Sequence, residues 1–141
     1  MRHRVYLFFA ALLLVSTQAA AQGSGDPIGD SLFPPELIMQ NQQALGLTDE
    51  QREFFKGELR KAQIRFTELQ WQLQDEAEKL AGLTKQERVD EQAVLAQLDR
   101  VLAAEREVKR VQISLVVRLK NKLTPEQQTR LLEIRRKQHD K

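Results

Sequence analysis

The stretch TDEQREFFKGELRKAQIRFTELQWQLQDEAEKLAG, Thr48–Gly82, decides the fold of this chain. It predicts one long helix because apolar side chains recur at steps of three and four residues and no proline interrupts them. At 1.5 Å per residue this helix would be about 50 Å long. Gly82 is predicted to end it. Its apolar seam consists of Phe55, Leu59, Ala62, Phe66, Leu69, Leu73, Ala77 and Leu80.

A second long helix is predicted from Thr84 or Asp90 to about Lys120. Because only a short turn around Gly82 and Leu83 separates the two helices, we expect them to fold back as an antiparallel hairpin. Glu105 and Gln112 fall on seam positions, where they either fix the register or face solvent. The seam is formed by Val94, Leu98, Val101, Val108, Leu115 and Leu119, and a flanking row of Leu95, Leu102 and Val116 widens it.

Short helices are predicted on both sides of this hairpin. Pro34 and Pro35 open the first, since proline is favoured in a first helical turn, and Gly46 ends it as a left-handed cap. The last helix opens at Thr124 and continues to about Lys137. The chain is therefore predicted to be all-α, with four helices: a long antiparallel hairpin and short flanking helices.

Two helix starts carry the same cap signal. Thr48 can accept a hydrogen bond from the backbone N–H of Gln51 while the Gln51 side chain bonds back, which is the reciprocal arrangement called a capping box. Thr124 and Gln127 have the same spacing at the start of the last helix. Both boxes are expected to fix where their helices begin.

A second apolar face is predicted on the Thr48–Gly82 helix. Phe54, Ile64 and Trp71 lie on the side opposite the seam, because an offset of two residues turns a helix by about 200°. Three explanations stay open for this face: packing against the flanking helices, a dimer interface, or an exposed patch for apolar segments of other proteins.

The N-terminus predicts an export signal over residues 1–21. Arg2 and Arg4 precede an apolar run from Val5 to Val15, and small residues follow at 19–21. This order is typical of a secretory signal, with cleavage expected after Ala21. The run is shorter than the roughly 20 residues of a membrane-spanning helix. We expect a periplasmic protein with no membrane insertion after cleavage, a flexible lead-in at 22–34 and a helical domain at 35–141.

The lack of cysteine and the scarcity of histidine argue against an enzyme and against a bound cofactor. The sequence has no cysteine, and His139 would be the only histidine left after cleavage. Nucleophile–histidine pairs, and a cluster of soft-metal ligands within one subunit, therefore cannot be assembled, and we expect neither catalytic nor metal-binding residues. A weak metal site built from carboxylates alone, or shared between subunits, stays open. The carboxylates stand at helical spacing beside Lys and Arg, which is typical of an exposed helix surface.

Charge is unevenly distributed along the chain. Lys109–Lys141 contains ten basic and three acidic residues, whereas the preceding part of the mature chain is acidic. Such polarity favours antiparallel self-association or a basic surface for a partner, and solvated helix faces would explain it equally well. Nucleic acid is not an expected partner outside the cytoplasm.

The two cap motifs together carry a resemblance to a known family. LTDEQ at Leu47–Gln51 and LTPEQ at Leu123–Gln127 share the form LTxxQ. A pair of these motifs on an exported helical chain resembles the Spy/CpxP family of periplasmic proteins over about residues 36–137. The matching positions are Leu47, Thr48, Gln51, Leu123, Thr124 and Gln127.

This resemblance implies an ATP-independent chaperone that binds unfolded or misfolded envelope proteins, working as a homodimeric cradle. The alternative is a periplasmic stress or heavy-metal sensor or adaptor that docks on a membrane signalling protein. The motif residues would then fix helix starts and the bend of the hairpin rather than touch a ligand. A related branch, the periplasmic heavy-metal sensors, binds metal through histidines that this sequence lacks.

Overall fold

The computed structural model describes residues 29–140, and every regular element in them is a helix. The predicted all-α fold with its long hairpin is confirmed. The signal at 1–21, its cleavage site and most of the lead-in lie outside the described residues. The helices are α1 (Pro35–Gln40), α2 (Gln42–Leu45), α3 (Asp49–Thr84), α4 (Glu91–Lys122) and α5 (Pro125–His139).

The hairpin consists of α3 with 36 residues and α4 with 32 residues. The α3 helix runs past Gly82 to Thr84, and the connection is only six residues long, so the two helices pack antiparallel. Of the two predicted starts of α4, the structure uses Asp90. Its side chain accepts a hydrogen bond from the backbone N–H of Ala93 at 3.2 Å and caps the helix.

The predicted first helix is split in two at Asn41. This residue leaves helical geometry at φ −113° and ψ 21°, and its side-chain amide donates to the backbone carbonyl of Leu37 at 2.7 Å. An asparagine that bonds to the nearby backbone competes with the helix, which explains the break. Gly46 ends α2 with φ 61°, the left-handed conformation that favours glycine.

The core lies at the open end of the hairpin, where α1, α2 and α5 pack against α3 and α4. Phe33, which the sequence prediction places in the lead-in, is buried in this core. The Arg135 guanidinium lies 5.5 Å from the Phe33 ring and donates to the carbonyl of Leu32 at 3.0 Å. The core contains Phe33, Leu37, Ile38, Leu45, Leu47, Phe55, Ala62, Leu115, Leu119, Leu123 and Leu131.

The α4 seam differs in part from the sequence prediction. Leu95 and Leu102 are exposed, whereas Gln97 and Ala104 are buried. Leu102 follows the buried Val101 by one residue, which is about 100° of helix rotation, and so it points to the side of the hairpin. Other seam positions also differ: Ala77 is exposed on α3, and Glu105 and Gln112 face solvent rather than fixing the register.

None of the helices within residues 29–140 is long and apolar enough to cross a membrane.

Candidate functional site

The two LTxxQ motifs meet in the structure although they are 76 residues apart. The Gln51 side chain donates through Nε2 to Oε1 of Gln127 at 2.8 Å, and Gln127 donates back through Nε2 to Oε1 of Gln51 at 3.0 Å. Both glutamines are buried. The motifs therefore form one paired amide contact, here called the glutamine pair.

Each glutamine also belongs to its own capping box. Oε1 of Gln51 accepts from the backbone N–H of Thr48 at 3.1 Å, and Thr48 Oγ1 accepts from the backbone N–H of Gln51 at 3.1 Å. In the second motif the corresponding distances between Thr124 and Gln127 are 2.9 and 3.2 Å. Both predicted boxes are thus present, and each one holds its amide in place for the pair.

The remaining amide hydrogens join two further chain segments to the glutamine pair. Gln51 Nε2 donates to the carbonyl of Lys122 at 2.9 Å, and Gln127 Nε2 reaches the carbonyl of Leu45 at 3.3 Å. Leu47 and Leu123, the first residues of the two motifs, are buried in the adjacent core. The ends of α2 and α4 and the starts of α3 and α5 are therefore held together at one point.

An ion pair between Lys122 and Glu50 lies beside this junction. Lys122 donates to Glu50 at 2.6 Å and places its ammonium 5.3 Å from the centre of the Phe54 ring. The hydrogen bond from Lys122, together with its positive charge, lowers the pKa of the Glu50 carboxyl. Phe54 is half-buried against the core. Of the three explanations for the second apolar face, packing near the flanking helices therefore applies to Phe54.

Ile64 and Trp71 have a different environment from Phe54. Their side chains are 58% and 64% exposed. Packing against the flanking helices is excluded for these two residues, whereas a dimer interface and a patch for other proteins both fit their exposure. Of the three residues predicted for the second apolar face, only Ile64 and Trp71 are exposed, on the outer side of α3.

A shallow groove of about 320 Å³ runs between α3 and α4 on one side of the hairpin. Glu58 lies in it and accepts hydrogen bonds from Arg118 at 2.9 Å and from Lys61 at 3.0 Å. The Arg118 bond, followed by the Lys61 bond, lowers the pKa of Glu58 against the smaller opposing effect of burial. Since Arg65 and Arg110 also line it, the groove has more cations than anions.

The half of the hairpin far from the core has a polar contact of its own. Buried Gln97 on α4 donates through Nε2 to the carbonyl of Glu76 at 2.9 Å and to its carboxylate at 2.5 Å. The Gln97 hydrogen bond is the main cause of the lowered pKa of Glu76, and Lys79 adds to it. This contact links α3 and α4 where no third helix covers them.

The described residues do not fit a resident heavy-metal site. Zinc, copper and nickel favour His, Cys and Met ligands, and residues 29–140 offer only His139 and Met39 of these types. In the same range no three His, Cys, Asp or Glu side chains are grouped so that they could hold a metal ion.

Sequence reasoning missed the glutamine pair and the Glu76–Gln97 contact. A signal for the first was present, because a capping glutamine uses only its oxygen and leaves its NH₂ group free to donate. Because both LTxxQ motifs leave such an NH₂ group free, a hydrogen bond between their two glutamines could have been predicted. For Gln97 no local signal exists, because a glutamine between apolar positions is also typical of a solvent-facing residue.

The family model for heavy-metal resistance matches residues 5–138, which is nearly the whole chain. No curated protein and no solved structure matches the chain.

Proposed function

Because this chain belongs to the heavy-metal resistance family, whose members are Spy/CpxP-like periplasmic helical proteins, we propose that it is an ATP-independent periplasmic chaperone. Its clients would be unfolded or misfolded envelope proteins. The relation to Spy/CpxP proteins and heavy-metal sensors, which the LTxxQ motifs predicted, is confirmed by the family match. Client binding and a homodimeric form are part of the proposal.

One observation carries this proposal: large apolar side chains are exposed along both hairpin helices, among charged residues. Ile64 and Trp71 lie on α3, and Leu95, Leu102 and Ile113 lie on α4. Large apolar side chains that repeat on one exposed helix face are more typical of a binding surface than singly scattered ones. Charged neighbours attract unfolded chains at long range, and apolar contact then holds them without demanding one sequence.

The proposal is also compatible with the heavy-metal resistance for which the family is described, although residues 29–140 hold no grouped metal ligands. Heavy-metal ions bind thiolate and imidazole groups of other proteins and so interfere with their folding. A protein that binds the damaged chains would give resistance without holding the metal itself. The residues that matter would then be Ile64 and Trp71 rather than any histidine.

An aggregation assay tests this function. A reduced client protein is allowed to aggregate without ATP while light scattering is recorded, with the full chain added at one dimer per client. We expect suppression by the wild type and loss of most of it in the variant Ile64→Ser/Trp71→Ser. The matched control is Leu132→Ser, which removes an exposed apolar side chain from α5 and should keep full suppression.

Failure of the wild type to suppress scattering at this ratio would contradict chaperone function. It would leave the competing hypothesis, an adaptor that docks on a membrane signalling protein and ignores generic unfolded chains. Equal suppression by the Ile64→Ser/Trp71→Ser variant would show that clients bind elsewhere on the hairpin.

A further inference from the structure

Two exposed stripes on the hairpin have the same spacing but opposite charge. On α3 the stripe is Ile64, Trp71, Asp75 and Glu78. On α4 it is Leu95, Leu102, Arg106 and Lys109. In both cases two apolar residues seven apart are followed by two charged residues, four and seven positions after the second apolar one. These sets are called the acidic stripe and the basic stripe.

Each stripe lies on one helix face. A seven-residue step turns a helix by about 700°, which returns it to within about 20° of its starting direction, and the charged positions stay within about 60° of the apolar ones. All eight residues are exposed in the structure. The acidic stripe points away from α4, because Trp71 follows the buried Ala62 by nine residues, or about 900°.

The charged groups of the stripes are not neutralised by ion pairs within the part of the chain that the structure describes. Among residues 29–140, Asp75, Arg106 and Lys109 make no ion pair, and Glu78 accepts only an amide hydrogen bond, from Gln74 at 3.0 Å. In contrast, Glu58 is held by cations on both sides. The stripes therefore keep their charge available for a partner.

We propose that the acidic stripe of one copy of this chain docks on the basic stripe of another copy. Aligned in parallel with a constant offset of 31 positions, Ile64 and Trp71 face Leu95 and Leu102, and the acidic pair faces the basic pair. Apolar contact supplies most of the association free energy, and the opposite charges select register and partner.

The neighbouring positions mostly agree with this register. One helical turn earlier, Arg60 on α3 faces Glu91 on α4, again with opposite charge. Glu68 and Asp99, at the stripe edges, are a like-charged pair and reduce the gain. An antiparallel alignment that pairs the same charges places Trp71 opposite Ile113 but Ile64 opposite Lys120, so it keeps one apolar pair instead of two.

The contact joins two different surfaces, so each copy keeps one free stripe after the first contact. Such a head-to-tail interface continues to larger assemblies unless its rotation closes a ring. A second copy docking in parallel on its own like stripe is disfavoured, because it would place like charges opposite each other. An antiparallel contact of two like stripes would pair Asp75 with Arg60, or Arg106 with Glu91. Such a contact uses only one of the two stripes, so charge changes on the other stripe would leave it unaffected. The inference thus goes beyond the homodimer of the proposed function, and it is measured without any client.

A charge-exchange experiment tests the pairing. One chain carries Asp75→Lys/Glu78→Lys and the other carries Arg106→Glu/Lys109→Glu. Sedimentation velocity over a range of concentrations should show mass growing for the wild type, and association about tenfold weaker or more for each variant alone. An equimolar mixture of the two variants should recover the association, because the exchanged stripes are again complementary.

The matched control is Arg136→Glu/Lys137→Glu, which makes the same charge change on exposed α5 and should keep wild-type association. Circular dichroism melting of every variant verifies folding. The pairing is wrong if the single variants associate as the wild type does, or if their mixture stays dissociated. Both outcomes leave the aggregation assay of the proposed function unaffected.

Cysteine cross-linking gives the register, since the chain has no cysteine of its own. Under mild oxidation a mixture of the Ile64→Cys and Leu95→Cys chains should give the mixed disulfide dimer in excess over a mixture of Ile64→Cys and Lys120→Cys. The reverse order of yields would contradict the parallel register.

Discussion

At the scale of single residues, the LTxxQ motif requires glutamine for a reason that capping alone does not give. Glutamate would accept the Thr48 backbone N–H equally well and would suit the positive end of the helix dipole. Only the amide also donates, and Gln51 uses that ability toward both Gln127 and the Lys122 carbonyl. The motif is therefore a cap and a tertiary contact in the same side chain.

The variant Gln51→Glu should lower the free energy of unfolding by about 3 kcal/mol at pH 7, because a buried carboxylate would face two acceptors with no hydrogen to give them. Urea denaturation monitored by circular dichroism measures the change. The control Gln70→Glu makes the same substitution at an exposed α3 position and should shift stability by less than about 0.5 kcal/mol. Equal effects of the two variants would mean that the glutamine pair does not stabilise the fold.

The two capping boxes were predictable and the pair was not, for a physical reason. A capping box joins residues three apart, so its sequence signal is local and complete in Thr48 and Gln51. The pair exists only after α5 has folded back onto the start of α3. Its partner is then selected by the topology of the whole chain rather than by spacing.

At the scale of helices, the hairpin is supported unevenly. Near its open end, three short helices cover α3 and α4, and the buried core lies there. Farther along, the hairpin depends on a thin seam that includes Leu69, Val101 and Ala104, together with the Glu76–Gln97 contact. Helix formation and hairpin topology were predictable from periodicity and caps, whereas the choice of Asp90 over Thr84 as the start of α4 was left open. The buried residues of α4 could not be predicted, because two rows of apolar residues lie about 100° apart on this helix. The row with Val101 is buried, and the row with Leu102 is exposed.

Glu58 joins the two hairpin helices and makes their packing sensitive to acid. Its folded-state pKa lies below the ordinary value of 4.5 because Arg118 and Lys61 hold the carboxylate. A lowered pKa means that the stabilisation is fully present above about pH 4.5 and is lost as the pH falls through the folded-state value.

The variant Glu58→Gln should therefore cost about 1 kcal/mol at pH 7, a modest value because Arg118 is largely exposed. The difference from the wild type should shrink toward zero below the folded-state pKa. Thermal unfolding at a series of pH values measures it, with Glu87→Gln, which has no ion pair among residues 29–140, as control. A pH-independent difference would contradict the ion-pair explanation.

At the scale of the whole molecule, the uneven distribution of charge along the chain and the exposed apolar side chains together determine what the protein can bind. The sequence predicted an acidic part and a basic part, and the structure places exposed apolar residues in both. Those faces serve clients in the proposed function and other copies of the chain in the further inference. Because Ile64 and Trp71 belong to both surfaces, a bound client and a docked copy should exclude each other there.

The central claim is that unfolded clients bind at the outer face of α3, and Trp71 reports on it directly because it is the only tryptophan in the chain. The measurement is Trp71 emission and acrylamide quenching while a reduced, alkylated, tryptophan-free client is added to dilute protein that sediments as one species. The native, folded form of that client is the control. The account predicts a blue shift and reduced quenching with the unfolded client only, and an unchanged spectrum at saturating client would contradict it.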